Sequence, residues 1–210
     1  MPKRPKIPIT PFSEREQRIL KIMGFILWIL LFPAFIFPDI FALFLIFLGI
    51  YQFTILRKNI FHAFKEWKQG IKFLPIALLI NLISITSLKI LNNPILNTNI
   101  SLFMVPSSAV NTFTLIDYIV AFVLIIFLCS SFNYLEEYYF RTKWDLVGIW
   151  VALHLVLGLS AWTIGQVFFI LVPLGILFKK VFDKYGVETS YCLHLFNNLS
   201  VVLLQFLSFL

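Results

Sequence analysis

The chain has 210 residues, of which 60% are hydrophobic and only 13% are charged, and its mean hydropathy is +0.92. This composition is too apolar for an ordinary soluble domain. The net charge of +7 does not indicate a nucleic-acid partner, because the basic residues flank apolar stretches, where they set topology and contact lipid headgroups. The sequence therefore predicts one membrane domain over residues 1–210, with the lipid bilayer as a partner.

Seven apolar stretches are each about long enough to cross a hydrocarbon core of ~30 Å as a helix. The predicted fold is an all-α, polytopic transmembrane bundle of about seven helices. The fifth and sixth stretches have only about 16 residues each, so they could instead form a hairpin that does not fully cross. In chain order, the stretches are Ile19 to Phe37, Ile40 to Leu56, Phe73 to Leu91, Leu115 to Leu135, Leu146 to Ser160, Ala161 to Phe178 and Ser190 to Leu210.

The basic residues predict the orientation of this bundle, because Lys and Arg accumulate on the cytoplasmic side of short loops. With a cytoplasmic N-terminus and seven crossings, 16 of the 17 basic residues face inward and only Lys89 faces outward. We therefore expect an integral protein of a prokaryotic plasma (inner) membrane, with its C-terminus outside. Residues 57–72 mix basic and apolar side chains, which is typical of an amphipathic helix in the membrane interface.

At the N-terminal end, Ser13 and Glu16 have the spacing of a capping box, which predicts a helix start at this point. Further along, the end of the fourth stretch carries Glu136, Glu137 and Arg141. Ionisable groups are costly in an apolar segment, so they indicate a functional site by default.

The chain offers partners for these groups in two later stretches, at His154 and at His194 with Asn198. At a rise of 1.5 Å per residue, Glu136, His154 and His194 would lie about 8–13 Å inside the cytoplasmic face. Because three helices bring polar groups to a similar depth, we expect them to share one cavity.

The spacing within each motif predicts different tasks for its members. Glu137 and Arg141 stand at i and i+4 and can pair, whereas Glu136 points about 100° away and is left free. His194 and Asn198 also stand at i and i+4, on one helix face. A carboxylate, two imidazoles and an amide suffice to hydrolyse an amide bond, through a general base and donors to the developing oxyanion.

These residues resemble the CAAX protease and bacteriocin-processing (Abi) intramembrane endopeptidases, which include the type II CAAX prenyl endopeptidases. The resemblance rests on the ordered pattern E-E-x-x-x-R, F-x-x-x-H and H-x-x-x-N/D. It covers about the last 80 residues, within a catalytic core at about 115–210. Trp150 stands where the family has Phe, and Thr142 follows Arg141 where many members have Gly.

The resemblance implies that Glu136 is the general base and that His154 helps it to activate water. His194 and Asn198 would form the oxyanion site, and Glu137 with Arg141 would support the architecture. The substrate would be a peptide or a membrane protein, cut near the cytoplasmic face. No cofactor is favoured, although zinc held by Glu136, His154 and His194 is an alternative, because one carboxylate and two imidazoles suit that metal.

Two other classes of function compete with an enzyme. The first is a non-catalytic bacteriocin-immunity or regulatory membrane protein that binds a peptide or protein partner through the same cavity. The second is a transporter, since intramembrane His and Glu also serve proton relays. Dependence of activity on Glu136 separates the enzyme from the immunity protein, and substrate flux identifies the transporter.

Overall fold

The computed structural model describes residues 13–19, 22, 38–90, 115–153 and 167–207. Within these ranges the chain is helical and has no strand, so the all-α prediction is confirmed there. A 3₁₀ turn at Phe64–Glu66 and a π-helical turn at Val167–Leu171 accompany the α-helices. Beside a helical segment at residues 14–19, the α-helices are α1 (Pro38–Ala63), α2 (Trp67–Ile71), α3 (Leu74–Ile90), α4 (Leu115–Phe140), α5 (Trp144–Leu153), α6 (Val172–Tyr185) and α7 (Val187–Leu207).

The prediction of a polytopic transmembrane bundle is wrong. Among the described residues, no helix combines the length and the apolar character that a membrane crossing requires. Helix α6, whose flanking residues on both sides are described, has 14 residues, where a crossing usually takes ~20. Helices α4 and α7 are longer, but they carry buried carboxylate, imidazole and amide side chains. The prediction relied on composition, which does not fix where each helix begins and ends.

The predicted location is wrong for the same reason. An integral position in a plasma membrane, with the N-terminus in the cytoplasm and the C-terminus outside, depended on seven crossings that the described helices do not provide. The first predicted stretch, Ile19 to Phe37, lies almost wholly outside the described residues. The turn of the predicted hairpin between the fifth and sixth stretches falls within residues 154–166, which lie outside the described residues.

The predicted interfacial helix over residues 57–72 is instead divided between the end of α1, the 3₁₀ turn and α2. Its apolar side packs on α7, because Ile60 and Ala63 are fully buried in a cluster with Cys192. A Cβ added at Gly70 would lie only 2.7 Å from Cys192 Cβ. The close contact requires glycine, so this segment is part of the protein core.

The capping box at the N-terminal end of the described chain is confirmed. The Ser13 backbone N–H donates to Glu16 Oε2 at 2.8 Å, and the Glu16 N–H donates to Ser13 Oγ at 3.2 Å. These reciprocal bonds satisfy two of the free donors at the start of the helix over residues 14–19.

Helix α7 lies at the centre of the described fold and packs against α1, α2, α3, α4 and α6. One apolar cluster includes Tyr134, Tyr191 and Leu195, and a second includes Phe178 and Leu193. On α7, residues 193 and 195 lie about 100° to either side of residue 194. The polar face of α7 is therefore enclosed between the two clusters.

Glycine at position 186 joins α6 to α7 with a single non-helical residue. Its φ of 97° lies in the region that side chains disfavour. The Gly186 N–H donates to Phe182 O at 2.9 Å and ends α6. This tight connection returns the chain against α6, and it places the polar face of α7 opposite the last turns of α4.

Candidate functional site

The site is built around the imidazole of His194, whose side chain is only 4% exposed. His194 Nδ1 lies 2.8 Å from Glu137 Oε1, and Nε2 lies 3.7 Å from Glu136 Oε2. A carboxylate only accepts hydrogen bonds, so Nδ1 carries the proton that it donates to Glu137. In the neutral ring, Nε2 is then an acceptor directed toward Glu136.

Glu137 is completely buried and is held by three side chains. It accepts from His194, it lies 3.2 Å from Arg141 Nε, and the Ser190 hydroxyl donates to its second oxygen. Burial alone would raise the pKa of the Glu137 carboxyl, but the charge of Arg141, the hydrogen bond and charge of His194 and the hydrogen bond from Ser190 lower it below its ordinary value. Glu137 is therefore a fixed anion that orients His194.

Glu136 is adjacent in sequence but differs from Glu137 in its surroundings. Its side chain is 29% exposed. Trp150 Nε1 donates to Glu136 Oε2 at 3.0 Å, the same oxygen that faces His194 Nε2. Glu136 is thus an oriented carboxylate that a reactant can reach from one side.

Aromatic rings fix the orientation of His194. Phe178 stacks on the imidazole, with ring centroids 4.5 Å apart and planes inclined by 26°. Trp150 meets its edge at 6.0 Å and 89°. Gly175 brings α5 and α6 together here, since a Cβ at this position would lie 3.3 Å from the Trp150 ring. The imidazole therefore has little freedom to rotate, which preserves its alignment with both carboxylates.

Arg141 follows α4, and its side chain is completely buried. Its Cζ lies 4.0 Å from the centre of the Trp150 ring and 5.7 Å from that of Phe178. Within the described part of the chain, none of its side-chain nitrogens makes a hydrogen bond of good geometry. The ion pair with Glu137 and the ring faces compensate its charge.

A chain of four asparagine amides lies one helical turn from the charged groups. Asn81 on α3 donates to Asn197 at 2.7 Å, Asn197 donates to Asn198 at 3.3 Å, and Asn198 donates to Asn133 at 3.2 Å. All three bonds run in one direction, from α3 through α7 to α4. Asn133 Nδ2 ends the chain as a buried donor that has no acceptor in the described structure, a condition that costs about 1–3 kcal/mol.

The structure brings together some of the sequence-predicted residues. Glu136 and His194 face one another, and Glu137 pairs with Arg141 as their spacing predicts. Asn198 lies on the next turn of α7 and is directed toward Asn133. His154 lies outside the described residues, so the predicted convergence of His154 with this site stays a prediction.

The zinc alternative depends in part on His154, which lies outside the described residues. Within residues 38–90, 115–153 and 167–207, no three His, Cys, Asp or Glu side chains are grouped so that they could hold a metal ion. Both oxygens of Glu137 already contact His194, Arg141 and Ser190.

Several residues of the site are absent from the sequence prediction. Ser190, His194 and Asn198 recur every four residues, as do Asn133, Glu137 and Arg141, so each set lies on one helix face. This periodicity was a usable signal for Ser190 and Asn133. Asn81 and Phe178 carry no such signal, because only tertiary contacts bring them to the site.

No family model, curated protein or solved structure matches the chain. The resemblance to the CAAX protease and Abi endopeptidases therefore rests on the sequence motifs alone, from Glu136 to Asn198.

Proposed function

We propose that the protein is a peptidase that hydrolyses internal peptide bonds without a metal, with Glu136 as the general base. The placement of the His194 imidazole between an accessible and a buried carboxylate carries this proposal. The motif resemblance to the CAAX protease and Abi endopeptidases points to the same class of reaction.

The facing atoms of Glu136 and His194 suit the activation of water. Glu136 Oε2 and His194 Nε2 are both acceptors, and they lie 3.7 Å apart. A water molecule about 2.8 Å from each atom would donate one hydrogen bond to each of them. Its lone pair would then point away from both and toward a substrate carbonyl carbon. Oriented water of this kind is the usual nucleophile in general-base hydrolysis.

In the proposed reaction, Glu136 takes a proton from water as the water oxygen attacks the carbonyl carbon. The carbonyl π electrons move to the oxygen and produce a tetrahedral oxyanion. When the carbon–nitrogen bond breaks, Glu136 returns the proton to the departing nitrogen. The products are a carboxylic acid and an amine, and the enzyme regains its starting protonation state.

The geometry supports a role for His194 that differs from the one implied by the family resemblance. An oxyanion donor must present an N–H, but in neutral His194 the Nδ1 proton is directed to Glu137 and Nε2 carries none. We therefore assign His194 to the positioning of water. The oxyanion donors are then side-chain amides on the same faces of α4 and α7.

The test uses an internally quenched library of random decapeptides as substrate. Wild-type protein should cleave members of the library, and Glu136→Gln should lower kcat by about 10²–10⁴ because it preserves shape but removes the proton acceptor. Glu14→Gln, a change at an exposed carboxylate outside the site, is the matched control and should leave kcat unchanged. Circular dichroism should show that both variants are folded.

Two results would contradict the proposal. One is an unchanged kcat in Glu136→Gln. The other is library binding by wild-type protein without any cleavage, which would favour the non-catalytic peptide-binding function instead.

A further inference from the structure

We propose that Asn133 is the principal oxyanion donor of this site and that Asn81, Asn197 and Asn198 act through it. The inference rests on the proposed peptidase function and names a catalytic residue that neither the motifs nor the family resemblance assigns. It is carried by the direction of the amide chain and by the donor left free at its end.

The hydrogen bonds distinguish Asn133 from Asn198. Asn198 Nδ2 already donates to Asn133 Oδ1 at 3.2 Å. Asn133 Nδ2 makes no hydrogen bond in the described structure, although Asn133 is only 3% exposed. Both of its N–H groups are therefore unpaired among the described residues, in surroundings from which bulk water is excluded.

The chain also increases the strength of this donor. An amide that accepts a hydrogen bond at its oxygen becomes a better donor at its nitrogen, and successive bonds polarise one another. Asn133 receives the last of three bonds that all run toward it. Such a fixed, polarised donor stabilises charge that develops in a transition state without reorganising at the moment of reaction.

Asn133 is also placed correctly relative to the base. It stands three residues before Glu136 on α4, so the two side chains are neighbours on one helix surface. Across the interface, Asn198 stands four residues after His194 in the same way. A carbonyl carbon beside Glu136 and His194 would have its oxygen toward the next turn, where Asn133 lies.

Arg141 also has N–H groups without hydrogen bonds, but it lies on the other side of the imidazole. Its Nε approaches Glu137 Oε1, the oxygen that accepts from His194 Nδ1. The reacting side is that of Nε2, which faces Glu136. Arg141 therefore neutralises the orienting carboxylate.

The experiment measures kcat and KM on one purified peptide selected from the cleaved library. Asn133→Ala should lower kcat by about 10²–10³ with little change in KM, because the donor acts mainly on the transition state. Asn81→Ala, at the far end of the chain, should lower kcat by about two- to tenfold at constant KM through reduced polarisation. The control is Gln52→Ala, which removes a buried amide from α1 and should leave kcat unchanged.

The outcomes separate this inference from the proposed function. If Glu136→Gln abolishes cleavage while Asn133→Ala retains kcat, Asn133 is not the donor and the peptidase proposal survives. If Glu136→Gln has no effect, the peptidase proposal itself fails. Should Asn133→Ala not fold, Asn81→Ala decides, since an unchanged kcat in that variant would overturn the inference and a reduced kcat at constant KM would support it.

Discussion

Two polar regions lie one turn apart between α4 and α7. One is the charged cluster of Glu137, Arg141, Ser190 and His194, and the other is the amide chain that ends at Asn133. They differ in how their buried polar groups find partners. In the charged cluster, three side chains engage the one buried carboxylate. The amide chain passes each bond to the next member and ends in a free donor. An unpaired buried charge costs far more than an unpaired buried amide. The neutral chain can therefore leave a donor unpaired at a smaller cost than the charged cluster would incur by leaving a charge unpaired.

The largest expected effect comes from breaking the charged cluster. Glu137→Ala should lower the free energy of unfolding by about 3–5 kcal/mol, because it leaves the buried Arg141 charge without its partner. Asn197→Ala, in the middle of the amide chain, should cost about 1–3 kcal/mol. Urea unfolding of both variants provides the measurement. Equal losses would show that the two regions do not differ as their chemistry indicates.

Acid should destabilise the charged cluster but not the amide chain. The pKa of Glu137 is lowered from its ordinary value of 4.5 in the folded protein, so its contribution to stability is fully present above that pH. The contribution is lost as the pH falls through the lower folded-state pKa. The fall in unfolding free energy between about pH 5 and pH 2 should therefore be shallower in Glu137→Gln than in wild type. Identical pH profiles would contradict the role of Glu137 as a fixed anion.

The smallest effect is expected from the contact between the Trp150 indole and the accessible carboxylate of Glu136. Trp150→Phe keeps a ring beside Arg141 and His194 but removes the N–H that donates to Glu136 at 3.0 Å. Loss of one hydrogen bond of about 0.5–1.5 kcal/mol should lower kcat by roughly two- to tenfold. Peptide-cleavage kinetics measure this change, and Trp150→Leu, which also removes the ring, should cost more. An unchanged kcat in Trp150→Phe would show that the N–H contact with Glu136 does not contribute to the reaction.

The sequence predicted local features more successfully than long-range ones. The i, i+4 spacing of Glu137 and Arg141 anticipated their ion pair, and the Ser13–Glu16 capping box was found as expected. The membrane prediction failed because composition does not fix the length and bounds of each helix, and no described helix is long and apolar enough to cross a membrane. The link from Asn81 to Asn197 joins residues 116 positions apart. No local pattern indicates such a contact, so the amide chain became visible only in the fold.

The hydroxyl of Ser190 has one proton but lies against two acceptors, a Glu137 oxygen and the backbone carbonyl of Phe178 at 3.0 Å. While Glu137 is ionised, Ser190 donates to the carboxylate. If Glu137 gains a proton, its own O–H can donate to Ser190, whose proton then rotates toward Phe178. By rotating, the Ser190 hydroxyl can stay hydrogen-bonded to Glu137 in either charge state of that carboxyl. The penalty of acid therefore arises mainly from the charge of Arg141, and the hydrogen bond from Ser190 contributes less.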